Sequence, residues 1–273
     1  MSATAPEPVY LATACEVVLR AGEIQRAGQA GGFRVDRKGT RDLVTEVDLA
    51  CERMCREVLG ARFPDHHVLA EEQGGPAGPR ASHRWVFDPL DGTTNFAHGL
   101  PVYCASLALE VEGEAVVGAI YDPSRDELFT AERGGGAWLN GQRLQVSTAA
   151  TLLDALLVTG FPYDLQRDRD ELVTIFDAFL GRAQAVRRLG SAALDLCYVA
   201  AGRFDGFWER RLWPWDVAAG ALMVSEAGGR VSLMDGGAWD LAAGQALATN
   251  GRVHDEMLAI IAEARSVLER GRS

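Results

Sequence analysis

The segment Trp85-Val86-Phe87-Asp88-Pro89-Leu90-Asp91-Gly92-Thr93-Thr94-Asn95 constrains the chain path more tightly than any other stretch of this sequence. An apolar run ending in Asp88 predicts a strand that delivers a carboxylate to its exposed end. Pro89 lacks an N–H and should prevent further ladder pairing, while Gly92 permits a tight turn before a helix start at Thr93-Thr94. Asp88 and Asp91 would then face one cavity, together with unpaired backbone N–H groups. That combination suits metal-assisted phosphate chemistry: hard divalent cations such as Mg²⁺ take carboxylate and carbonyl oxygens, and a helix start favours a phosphate. The same residues also describe an Asx-turn followed by an N-cap, because Asp, Gly, Thr and Asn are ordinary turn formers.

With 273 residues, the chain can form one large domain or two packed halves without disulfides or a structural metal. A formal charge of −11 argues against nonspecific attraction to nucleic acid or anionic lipid. It does not argue against an anionic phosphate ester, provided that metal ions neutralise the site. The five cysteines Cys15, Cys51, Cys55, Cys104 and Cys197 are scattered and odd in number, which fits a reducing compartment. Cys51 and Cys55, four apart on a predicted helix, have no matching Cys or His pair and are expected to pack. Met1 to Val9 lacks a basic start and an apolar signal core, and no stretch approaches the roughly 18 apolar residues that span a bilayer. The expectation is a cytoplasmic enzyme with no membrane association and no direct nucleic-acid binding.

Leu11, Ala14, Val18, Ala21 and Ile24 recur at helical spacing and predict a helix from about Tyr10 to Gln29, ended by Gly31-Gly32. A second helix is expected from about Glu46 to Ala61. The pattern then changes to strands: Val68 to Ala70, Trp85 to Phe87, and three successive antiparallel strands at Cys104 to Val111, Ala115 to Tyr121 and Glu127 to Ala131. After Ser147 strands and helices alternate, with helices near Arg169 to Leu180, Ser191 to Ala201, Asp216 to Ala227 and Asp255 to Leu268, which argues for helices packed on a sheet. Residues 1–147 are expected to form an α+β half carrying most of the acidic site, and residues 148–273 an α/β half completing it.

Besides Asp88 and Asp91, three acids fall at predicted strand ends or helix starts, where α/β proteins gather ligands: Glu71, Glu209 and Asp216. Glu71 and Glu72 follow an apolar run, which suits a site or a solvated loop. Asp216 follows Trp213-Pro214-Trp215 and could be an N-cap, a metal-holding carboxylate, or both. Arg41-Asp42-Leu43-Val44-Thr45-Glu46-Val47-Asp48 is a further acidic segment at a helix start, a position the dipole favours, and Asp48 could also reach a threonine hydroxyl of the site. Gly190-Ser191-Ala192-Ala193 reads as a tight turn into a helix in which Ser191 serves as an N-cap or touches a ligand hydroxyl.

Taken together, Glu71-Glu72, Asp88 to Phe96 and Trp215-Asp216-Val217-Ala218-Ala219-Gly220 resemble the inositol monophosphatase family. So do Asp42 to Asp48, Leu189 to Ala193, Asp205-Gly206-Phe207-Trp208-Glu209 and Glu226-Ala227-Gly228-Gly229, so the resemblance covers nearly the whole chain. It implies a layered αβαβα sandwich and a Mg²⁺-dependent phosphomonoesterase holding two or three ions. By the resemblance Glu71, Asp88, Asp91 and Asp216 are side-chain ligands, and the Leu90 carbonyl supplies a further oxygen. Asp88 bridges metals, Thr93 with Glu71 positions the attacking water, and Asp48 hydrogen-bonds Thr93. The Gly92 and Thr93 amides contact phosphate, and Asp91, Glu209, Asp216 and the Gly190-Ser191-Ala192 turn face the hydroxyls of a small phosphorylated polyol. The family further implies a homodimer and inhibition by Li⁺.

Water attacking in line needs no nucleophilic side chain, and no Ser, Cys or His triad is evident. The five histidines, His98 among them, are read as structural or exposed. Myo-inositol 1-phosphate is the first expected substrate, with histidinol phosphate, fructose 1,6-bisphosphate and a nucleotide 3′-phosphate as alternatives. Arg210-Arg211-Leu212-Trp213-Pro214 departs from the shorter polar residues of animal relatives. Trp213 is expected to pack rather than narrow the pocket, and Arg187 and Arg188 to be solvated. Some bacterial members bind the transcription machinery, so a partner-binding role is the alternative of another class.

Overall fold

The computed structural model describes residues 7–39, 43–75, 82–166 and 168–271. Arg41 and Asp42, which open the acidic segment before the second helix, lie outside the described residues, as do residues 1–6. In chain order the elements are α1 (Pro8–Gly31), β1 (Val35–Arg37), β2 (Leu43–Thr45), α2 (Glu46–Arg62), β3 (His67–Ala70), β4 (His83–Asp91) and α3 (Thr93–Ala97). Next come β5 (Cys104–Val111), β6 (Glu114–Asp122), β7 (Glu127–Glu132), β8 (Gly136–Leu139) and β9 (Gln142–Arg143). The chain continues with β10 (Leu156–Thr159), α4 (Arg169–Leu180), β11 (Ala185–Arg187), α5 (Ala192–Ala200) and β12 (Gly206–Arg210). It ends with α6 (Pro214–Glu226), β13 (Arg230–Ser232), β14 (Gln245–Thr249) and α7 (His254–Gly271).

Strands β3 to β9 lie in sequence order in a seven-stranded sheet, antiparallel except for the parallel pair β3 and β4. The second sheet has the order β11-β10-β12-β14-β13, parallel across β11, β10 and β12 and antiparallel on its β14 side. Helices α1 and α2 cover the outer face of the first sheet, α5 and α6 fill the space between the sheets, and α4 and α7 cover the second. This is the αβαβα sandwich.

The sequence pattern follows from these layers. In β5 all residues from Cys104 to Glu110 are buried, because both faces of that sheet are covered and a run of apolar residues replaces simple alternation. The alternation survives in which core each residue enters. Ala105, Leu107 and Leu109 pack with α1 and α2, whereas Cys104 and Ala108 pack with α5 and α6. Cys51 and Cys55 are buried in the outer core, as packing predicted.

Two local expectations change. Pro89 does not end the β4 ladder: Asp88 pairs with Ser106, the register shifts over Pro89 and Leu90, and pairing resumes at Asp91 with Cys104. The missing proline N–H is accommodated by a bulge, which turns two carboxylates out of strict alternation. The short strands β1, β2, β8 and β9 were not expected, since two to four residues carry too little periodicity to register.

Among the histidines, His98 is exposed, whereas His254 is fully buried at the start of α7 with Ser232 Oγ 2.9 Å from Nε2 and Thr249 Oγ1 3.0 Å from Nδ1. Burial, with help from Arg230, pushes its pKa down to about 4. The unfolded chain therefore binds the proton more tightly, so this histidine's stabilising contribution is present above about pH 6.5 and is lost as pH falls toward 4. The loss should be about 3 kcal/mol. Urea unfolding of wild type and His254→Gln at pH 7.5 and pH 4.5 tests this. The stability difference between the two proteins should shrink at the lower pH, and a pH-independent difference would contradict it.

Candidate active site

The β4 bulge sets the site. Asp88, at 2 % exposure, turns Oδ1 back to accept the Leu90 N–H at 2.9 Å. Gly92 follows at φ 94°, a left-handed conformation, and a Cβ there would lie 2.7 Å from the Val102 carbonyl, so only glycine fits. It caps α3, whose first residue Thr93 places Oγ1 2.8 Å from the Leu90 carbonyl and 3.2 Å from Asp48 Oδ1. The segment is held from behind by α1, where Gln25 Nε2 donates to the Pro89 carbonyl at 2.8 Å and Gln29 Nε2 to Phe96 at 2.7 Å. These two glutamines were missed in the sequence; their spacing of four, with Gln25 on the apolar face of α1, was the available signal.

Three further acids are tied to helix starts. Asp48 is the third residue of α2 and closes a capping box: its Oδ2 accepts the Thr45 N–H at 2.8 Å, and the Thr45 hydroxyl accepts from the turn above. Asp91 Oδ2 accepts the Ala193 N–H at 2.7 Å and the Ser191 hydroxyl at 2.6 Å, and Ser191 is the N-cap of α5. Asp216 is not an N-cap but the third residue of α6. Trp213 is the cap and Pro214 the first helical residue, and Asp216 Oδ2 accepts the Trp213 N–H at 2.7 Å. The proline explains the offset, since its missing N–H suits the first turn.

Glu71 lies past the end of β3, where Lys38 Nζ stands 2.9 Å from its Oε1 and also pairs with Glu72. The turn carrying both is fixed by Glu52, a fully buried acid of α2 that accepts the Glu72 and Gln73 N–H groups and pairs with Arg56 at 2.8 Å. Glu52 was also missed, because a single acid on a helix reads as surface.

The acids act on one another electrostatically. Burial, and then the charges of Glu71, Asp91 and Asp216, push Asp88 well above the usual carboxylate range. Asp216 is raised by burial and then by Asp91. Asp91 is raised by burial to about 6, with Ser191 and Ala193 pulling it down. Among the described residues, no three acidic, histidine or cysteine side chains are already gathered on one metal-sized point. The donor set nonetheless fits a hard cation: it is all oxygen, desolvated, mutually repelling, and already draws the ammonium of Lys38.

Glu209, at the end of β12, is pushed up to about 8 by burial and then by Asp91, with Arg188 opposing. Behind it is Asp195, fully buried on α5 with neither carboxylate oxygen hydrogen-bonded, raised by burial and then by Glu209. A buried, unpartnered carboxyl is held neutral rather than charged. Asp195 was missed, as an acid among Ala193, Leu194, Leu196 and Cys197 gave no sign of a partner. Gly190 and Ala192 flank Ser191 at this same turn. Trp213 corrects an expectation: it is 63 % exposed and stacks on Trp215 with ring centroids 5.4 Å apart. Leu212, the residue before it, enters the core instead. Arg187 and Arg188 are exposed, as expected.

The pattern of the inositol monophosphatase family matches residues 7–267 of this chain. The chain belongs to the inositol monophosphatase family. It is 46 % identical over 259 residues to an inositol-1-monophosphatase of Synechocystis sp., covering 91 % of this chain and 87 % of that protein. It is 47 % identical over 222 residues to the Nus factor SuhB of Escherichia coli, covering 81 % of this chain and 83 % of that protein. The structure of an inositol monophosphatase from Anabaena (Nostoc) sp. superposes with a TM-score of 0.85 at 40 % identity, covering 93 % of this chain and 96 % of that one. Family membership makes the chain a phosphatase. Among the described residues, no helix is long and apolar enough to cross a membrane.

Ser191 both caps α5 and donates to Asp91, so Ser191→Ala should lower stability by about 1–2 kcal/mol. Chemical denaturation reads the loss directly, and a change within about 0.3 kcal/mol would deny the cap its weight.

Proposed function

We propose that the chain is a Mg²⁺-dependent phosphomonoesterase acting on a small polyol phosphate, with myo-inositol 1-phosphate as first substrate. The observation that carries this reading is the β4 bulge, which sets the buried Asp88 close to Asp91 where neighbouring carboxylates add to its negative surroundings. Such a charge excess is costly unless cations or protons offset it. Glu71, Asp88, Asp91, Asp216 and the Leu90 carbonyl would hold two or three Mg²⁺ ions. Bound there, Mg²⁺ would supply positive charge to the phosphoryl oxygens and acidify a water.

The chain's own residues do the rest. The Gly92 and Thr93 amides, at the start of α3, present N–H groups to a phosphate. Glu71 and Thr93 orient the attacking water. Asp48, whose carboxylate faces the Thr93 hydroxyl, keeps that hydroxyl in place. Asp91, Asp216 and Glu209, with the Gly190-Ser191-Ala192 turn, meet the hydroxyls of the leaving alcohol. A carboxyl such as Glu209, raised to about 8, can either accept from or donate to a polyol hydroxyl near neutral pH. Li⁺ inhibition, a homodimeric state and a cytoplasmic location belong to the same reading, as does the division into a metal-rich half over residues 1–147 and a completing half over 148–273.

A second reading follows from the SuhB relative, a Nus-factor role served alongside the chemistry. Were that its sole role, an Asp88→Asn chain would support growth as well as wild type.

Phosphate release from myo-inositol 1-phosphate should require Mg²⁺ and stop with chelator, whereas release from histidinol phosphate, fructose 1,6-bisphosphate and adenosine 3′,5′-bisphosphate should be slower. Asp88→Asn should lower turnover by at least about a hundredfold while circular dichroism stays unchanged. Full activity of that variant would defeat the assignment. Mg²⁺ at about 100 times its Kd should raise stability by about 2.7 kcal/mol, read as a higher Tm. A Tm indifferent to Mg²⁺ would show that the acids hold no metal.

A further inference from the structure

The residues after β10 run past both ends of the site. Gly160 passes so close to Glu209 that a Cβ there would lie 2.2 Å from its Oε2. Three residues on, the Tyr163 hydroxyl stands 3.5 Å from Thr94 Oγ1, next to Thr93, while the ring remains 48 % exposed. One short loop thus touches the α3 end, where a phosphate would sit, and the Glu209 end, where the alcohol would sit.

That loop is fastened by a residue the proposed chemistry does not use. Arg211 follows β12 two residues after Glu209. Its Nε lies 2.6 Å from Asp168 Oδ2, and its Nη1 lies 3.7 Å from Asp164 Oδ2 and 3.4 Å from the Asp164 carbonyl. Its backbone has φ 59°, in the left-handed region that a side chain of this size rarely adopts and glycine takes freely. A conformation of that kind persists only where surrounding contacts enforce it. The neighbouring Arg210 points elsewhere, to Glu171 of α4, which Arg265 also holds at 2.8 Å. The end of β12 is therefore tied to the loop and to the helix that follows it.

We propose that the loop of residues 160–166, latched through Arg211 to Asp164 and Asp168, is the wall that selects the alcohol half of the substrate, with Tyr163 as the residue that meets a cyclic polyol. The proposal rests on the polyol-phosphate reading above. An exposed tyrosine offers a flat apolar face to the C–H side of a ring and a hydroxyl at its edge, whereas an open-chain alcohol presents no such face. Arg211 is a positioning residue: it acts through the loop and touches no substrate.

The test compares KM and kcat for myo-inositol 1-phosphate and glycerol 2-phosphate, with hydrogen exchange of residues 160–166 as an independent readout. Arg211→Gly relieves the backbone strain, so it should fold at least as well as wild type while exchange in the loop accelerates. Its KM for the inositol ester should rise about tenfold, the size expected for one lost aromatic contact, with kcat and the glycerol 2-phosphate constants unchanged. Tyr163→Ala should reproduce the KM change, and Tyr163→Phe, which keeps the ring, should restore most of it. Unchanged loop exchange in Arg211→Gly would overturn the latch. Faster exchange with the same preference between the two esters would overturn the selecting wall. Wild-type turnover of neither ester would overturn the polyol-phosphate reading and the proposal with it, an outcome distinct from an active enzyme whose preference does not move.

Discussion

Several carboxylates brought out of water beside one another impose the constraint on which the rest of this structure depends. Asp88, Asp91, Asp216 and Glu71 repel, and each must be held by groups that tolerate negative charge. The fold answers with helix starts. Asp48 closes the start of α2, Asp91 receives the first amides of α5, and Asp216 receives the cap of α6. N–H groups left unpaired by each helix meet carboxylate oxygens, and the helix dipoles favour the same sign. The acids are fixed in place while their repulsion is only partly relieved, which is what the proposed cations would offset.

The same bonds join the two sheets. Asp91 lies at the end of the first sheet and takes its donors from α5, which lies between the sheets. Asn95, on α3, donates to Val102 just before β5 and to Leu189 just before α5, at 2.8 and 2.9 Å. Glu226 at the end of α6 accepts the Gly134 and Gly136 N–H groups beside β8. Neither sheet alone would assemble the acids, so formation of the site and packing of the sandwich are one event.

The identity of the alcohol is a separate matter from the acids. Phosphate chemistry needs oxygen ligands and amides, which the proposed reading finds at the ends of β4, α3, α5 and α6. On the proposed reading the alcohol side comprises Glu209, the buried Asp195 and the loop after β10, which Arg211 holds through Asp164 and Asp168 from a left-handed backbone conformation. Specificity on loops and reactivity on scaffold is the expected division, because loops change without disturbing a core.

The linear order of residues determined the layer pattern, most helix starts and which acids fall at the ends of strands and helices. Apolar periodicity and turn residues are local, and the segment from Asp88 to Thr93 is contiguous. The sequence could not show that Pro89 makes a bulge rather than an end, because that depends on β5 supplying Cys104 as a partner. Nor could it show that Asp216 is the third residue of its helix, that Trp213 stays exposed, or that Gln25, Gln29, Glu52 and Asp195 stand behind the site. Gln25, Gln29 and Glu52 are settled by neighbours far away in the chain, as when Gln25 meets Pro89 or Glu52 meets the turn after Glu71. Side-chain chemistry is written one residue at a time, whereas burial and partnership are properties of the packed whole, and only the tertiary structure decides them.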